Sequence, residues 1–185
     1  MHRKFVLLTG TSLVALLFGA QASLASPTAT QNVTFTVSKA VAIVSTGNQT
    51  IATIDPSSGT PTGSATGGLT VSSNDASGFQ ITAKTNASTV TEAGTCTPAE
   101  SANVNIMTIS AGTPTGQSGG SSAGTAASAF ALSTTATNLY STAPTYYGGS
   151  MAVTTNYIVT PGYATLANTS GCTYTIPVVV TVSAL

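Results

Sequence analysis

The chain has 185 residues, of which 42% are hydrophobic and only 4% charged, with a formal net charge of zero. Four Lys and Arg in all cannot form the basic patch that neutralises phosphates, which excludes an ordinary nucleic-acid interface. A surface so poor in charge also lacks the repulsion that keeps soluble proteins apart, so the composition favours self-association.

In chain order, the first segment is "MHRKFVLLTGTSLVALLFGAQASLAS". His2, Arg3 and Lys4 precede an apolar run from Phe5 to Phe18, then small residues that allow cleavage after Ala22 or Ala25. This predicts a secretory signal peptide over 1–25 and a domain over 26–185. Thr9, Gly10, Thr11 and Ser12 interrupt the apolar run, leaving it short of the roughly 20 residues that span a bilayer. No later stretch is long and apolar enough either, so no transmembrane segment is expected in the mature chain. Export also removes the only His and the only Arg, leaving Lys39 and Lys84 against Asp55, Asp75, Glu92 and Glu100, a net charge of −2.

The mature region is Thr-rich, and Thr fits a half-buried pleated surface because its branched Cβ is accommodated there. In "NVTFTVSKAVAIV", Val33, Phe35 and Val37 share one face and Thr34, Thr36 and Ser38 the other, with apolar character continuing at Val41 and Ile43. "QTIATI" at 49–54 predicts a short strand. "LTVSSNDASGFQITA" predicts a hairpin, Leu69 and Val71 leading to Phe79, Ile81 and Ala83 through a polar turn. "NVNIMTIS" at 103–110 and "SMAVTTNYIV" at 150–159 predict strands, and "TAASAFALS" at 125–133 favours strand over a helical turn. In "CTYTIPVVVTVSAL" one face runs from Cys172 through Tyr174, Ile176, Val178, Val180 and Val182, while Pro177 requires an edge or a bulge. The expected fold is all-β, a single immunoglobulin-like or jelly-roll β-sandwich of about eight strands. Cys96 and Cys172 are the only cysteines, and in an exported chain they predict a disulfide. It closes a loop of about 76 residues, worth about 4 kcal/mol by chain entropy.

Candidate chemistry is sparse. "GQSGG" at 116–120 has the G-x-S-x-G spacing, but Ser118 would need a base, and the mature chain has no His and no S-x-x-K spacing. The four acids have no spacing that specifies a glycosidase pair, and no His or calcium-loop pattern supports a metal. No catalytic residue, metal ligand or cofactor is therefore assigned, and the expectation is a protein that is not an enzyme. Sequons at Asn32, Asn48, Asn86 and Asn168 matter only where the host glycosylates exported proteins. Lys39 has two readings, the amine of an internal isopeptide bond or a guard against edge pairing, and the second is preferred.

Two segments carry a family likeness: "ATQNVTFTVSKAV" and "GCTYTIPVVVTVSAL", with Gly171 ahead of the last strand. Together they resemble fimbrial subunits of the chaperone and usher type, whose N-terminal extension completes the fold of the next subunit by β-strand addition. Ala184 stands where that family prefers Tyr, and Cys172 lies in the last strand, whereas the family's disulfide usually lies in the first half. Secreted wall proteins of the WxL type end in similar strands but carry tryptophans that this chain lacks.

The resemblance implies a non-enzymatic subunit of a surface fibre, pilus or surface layer, secreted or at the cell surface, passing the periplasm in a Gram-negative host. Its partners would be further copies or related subunits. The extension would lie within 26–44, with Val33, Phe35, Val37, Val41 and Ile43 as anchors. The alternative is a monomeric adhesin or glycan- or protein-binding module recognising a host or matrix ligand, with Tyr140, Tyr146 and Tyr147 as candidate contacts. Packing against an edge strand is the plainer reading of those rings. An outer-membrane barrel is disfavoured by the missing aromatic girdles and by a C-terminal leucine.

Overall fold

A computed structural model describes residues 31–54, 62–94, 102–115, 124–142, 149–161 and 172–185. The expected signal peptide, Cys96, Ser118, Tyr146, Tyr147 and Asn168 lie outside them. The chain divides into two units, Met1–Val37 and Ser38–Leu185. Of the first, residues 31–37 are described, and they form no strand and are exposed.

The second unit is all-β, built from antiparallel sheets. Its strands are β1 (Val41–Ser45), β2 (Gly63–Ser73), β3 (Phe79–Lys84), β4 (Thr91–Ala93), β5 (Met107–Ala111) and β6 (Thr125–Ala126), followed by β7 (Phe130–Ala131), β8 (Thr137–Ser141), β9 (Gly149–Val159), β10 (Thr173–Thr175) and β11 (Val179–Ala184). One sheet has the order β1-β2-β9-β5-β7, a second β11-β3-β8-β6, and a small third pairs β10 with β4. The described residues thus hold eleven strand segments where about eight were expected, and four of them are only two or three residues long. Short runs of this kind carry too little alternation to register as separate strands.

The longest ladder joins β2 to β9, from Gly63 opposite Val159 to Ser73 opposite Gly149. Leu69 and Val71 of β2, Ile109 of β5 and Met151 and Val153 of β9 are buried in one apolar cluster with Phe79, Ile81 and Ala83 of β3 and Leu139 and Tyr140 of β8. Both larger sheets therefore contribute to the same core. Burying a side chain of this size contributes about 1.5–3 kcal/mol, which is what holds sheets of such polar composition together.

Three expectations need correction. The segment 69–83 is not a hairpin, because β2 and β3 belong to different sheets. The turn between them is a corner, closed by the Gly78 amide donating to the Asp75 carbonyl at 3.1 Å. Gly78 has a φ of 86°, a left-handed conformation that a side chain would strain. Residues 49–54 form no strand. Ile51 and Ile54 instead lie over Gly63, where a Cβ would have no room, so they pack on β2 without joining a ladder.

The face expected to run unbroken from Cys172 to Val182 is divided. β10 pairs with β4 and β11 with β3, with Pro177 between them. Proline cannot donate to a ladder, and β11 beyond it forms a sheet edge, as anticipated. The stretch 125–133 holds no helix; it carries the two-residue strands β6 and β7, which serve different sheets, with residues outside any strand between and after them.

Candidate functional site

Val33, Phe35 and Val37 are 81%, 80% and 69% exposed. Large side chains this open, at alternate positions of one segment, are not what a folded monomer normally leaves in water. Val41 and Ile43 carry the same alternation onward but have a different fate. They lie in β1, where Val41 faces Ser73 and Ile43 faces Val71 across the ladder, and both pack partly buried against the core. The five predicted anchors therefore fall into two groups that meet between Val37 and Val41.

That junction is held by the corner after β2. The β1–β2 register places Ala40 opposite Asn74, and the Asn74 amide N–H donates to the Ala40 carbonyl at 3.1 Å. The Asn74 side chain adds two bonds: its Oδ1 accepts from the Ala40 amide at 2.6 Å, and its Nδ2 donates to the Ser38 carbonyl at 2.8 Å. One side chain thus supplies the ladder contacts that β2 can no longer make once its backbone leaves the sheet. Beyond Asn74 the backbone turns toward β3, so the β1–β2 pairing ends at Ala40 and Asn74.

Asp75 completes the corner. Its carboxylate is 1% exposed, and its Oδ1 lies 2.8 Å from Lys39 Nζ and accepts from the Ser77 amide at 2.9 Å. Its Oδ2 is buried and has no hydrogen-bond partner among the described residues. The Lys39 ammonium, then the Ser77 N–H, hold the carboxyl below its ordinary value of 3.8, against the opposing effect of burial. Lys39 itself is 68% exposed. Its role here is an ion pair with Asp75, while Asn74 is engaged with the backbone on either side of it. At its other end β1 is fastened similarly: the Thr46 amide donates to the Gly68 carbonyl and the Gly68 amide to Thr46 Oγ1, both at 3.0 Å.

Of the three candidate ligand tyrosines, Tyr140 is described and is fully buried. Its hydroxyl accepts from the Gly124 amide at 2.7 Å and donates to Met151 Sδ at 3.7 Å, and its ring lies 6.4 Å from that of Phe79. A ring with no exposed face cannot stack on a ligand, so Tyr140 is a core residue. One shallow depression of about 200 Å³ has Leu132 and Val104 among its lining, with Ser88, Asn103, Ser133 and Thr134 around them.

Cys172 is not a free thiol. β10 pairs with β4 so that Thr173 faces Ala93, which carries Cys172 opposite Gly94, two residues before Cys96 in sequence. Among the described residues, no group of three His, Cys, Asp or Glu is placed to hold a metal, and no helix is long and apolar enough to cross a membrane. The chain matches no protein-family model, and no curated protein matches it in sequence.

Proposed function

We propose that this protein is an exported, non-enzymatic structural subunit that assembles with further copies, or with related subunits, into a surface fibre or layer by β-strand addition. The observation that carries this reading is the exposed row Val33, Phe35 and Val37, an alternating segment without a strand partner among the described residues. In strand addition, main-chain hydrogen bonds supply most of the attachment while alternate side chains fix the register. The larger sheets end in β1, β7, β6 and β11, and an open edge is the natural receiver for such a segment. β11 is the longest of these and carries half-buried Val180 and Val182. The low charge of the chain is consistent with close packing of copies.

Within this reading the domain is an immunoglobulin-like or jelly-roll sandwich stabilised by a Cys96–Cys172 disulfide, preceded by a signal peptide. The test is the molar mass, by light scattering, of purified protein and of a Phe35→Ser, Val37→Ser variant. Large assemblies that become monomers in the variant, with the fold kept, are the expected result. A monomer in both cases would remove the reading and favour a binding module.

A further inference from the structure

The corner after β2 has a more specific consequence for such assembly, one that rests on the strand-addition reading. We infer that Asn74 and Asp75 form a clamp that keeps Ser38–Ala40, and with them β1, in the chain's own sheet, so that only residues 31–37 are free to pair elsewhere.

Three arguments converge on this boundary. Asn74 grips both sides of Lys39, through the Ser38 carbonyl and the Ala40 amide, which no single backbone bond does. Lys39 is the cation paired with a carboxylate that is 1% exposed. If β1 left with the extension, the Asp75 carboxylate would lose its Lys39 ion pair and keep only the Ser77 N–H as a partner among the described residues. Finally, Val41 and Ile43 pack against the home core, and Thr46 fastens the far end of the strand to Gly68. Val33, Phe35 and Val37 give up no burial of this kind on pairing with a neighbour. The clamp therefore separates a resident strand from a donor segment within one continuous run of alternation, and its contacts specify where exchange stops.

Trypsin reads the clamp directly, because beyond residue 4 its only sites are Lys39 and Lys84. Lys84 lies in β3, paired with Val179 of β11, so cleavage there reports opening of the fold. In the unaltered protein, Lys39 is expected to be cut slowly despite its exposed side chain. Asn74→Ala is expected to accelerate cleavage at Lys39 on the order of tenfold, the equivalent of one or two hydrogen bonds, with cleavage at Lys84 unchanged. Asp75→Asn, which keeps the shape of the corner and removes its charge, is expected to act in the same direction.

Rapid cutting at Lys39 in the unaltered protein, or equal rates in the variants, would overturn the clamp. So would acceleration at both lysines together in both variants, since the corner would then be part of the global fold rather than a local latch. Molar mass is measured on the same samples. A protein that stays monomeric yet shows selective release of Lys39 would refute strand addition while upholding the clamp.

Discussion

The segment 31–37 and strand β2 are written in similar alternation, yet one is exposed and the other is an interior strand of a sheet. Val33, Phe35 and Val37 stand open to water, whereas Leu69 and Val71 are buried between β1 and β9 in the sheet order. Alternation specifies that a segment has an apolar face; a neighbouring strand at the right register decides whether that face is used at home. For β2 the neighbours exist on both sides. Residues 31–37 form no strand, and β2 itself ends at Ser73, where the chain bends into the Asn74–Gly78 corner.

Substitutions in the two regions should accordingly behave in opposite ways. Leu69→Ala is expected to cost about 2–5 kcal/mol, through lost burial and the cavity left behind, measured by chemical denaturation. Thr142→Val should cost about 1–3 kcal/mol. Its hydroxyl accepts from the Phe79 amide at 2.7 Å and bonds the Phe79 carbonyl at 3.2 Å, both in a buried position.

Acid should act more weakly, and through the corner. Because the Asp75 carboxyl is held below 3.8 in the folded state, its contribution is present above that value and is lost as pH falls through the lower folded value. An acid titration followed by hydrogen exchange at the Ala40 amide, corrected for the intrinsic rate, is expected to show selective loosening below about pH 3.8, with the neutral-pH behaviour of Asp75→Asn as its reference. At the small end, Val33→Ser should change monomer stability by no more than about 0.5 kcal/mol while weakening assembly. A large loss of stability on that substitution would mean the segment is packed in its own domain.

The sequence made the all-β character and several long strands legible because their alternation is sustained, as in β9, where Met151, Val153 and Val159 are buried on one face. It concealed β8 for a physical reason. The β3–β8 register shifts between Ile81, which faces Tyr140, and Thr82, which faces Asn138, leaving Leu139 as an extra residue. A bulge of this kind lets consecutive Leu139 and Tyr140 both be buried, and it erases the period-two signal.

The same limit made Tyr140 look available as a ligand contact. The corner was equally hard to read, since a polar turn between two alternating runs is compatible with a hairpin or with a step between sheets. Only pairing distinguishes them. As for the candidate site, its apolar row was readable at residue level, but the division between Val37 and Val41 depends on Asn74 and Asp75, which are more than thirty positions away in sequence.

The most direct test of assembly through residues 31–37 is hydrogen exchange followed at increasing protein concentration. Protection of the amides of 31–37 should rise with concentration, together with that of one open sheet edge, while Val41–Ser45 stays protected throughout. Amides of 31–37 that exchange freely at every concentration would contradict assembly by strand addition.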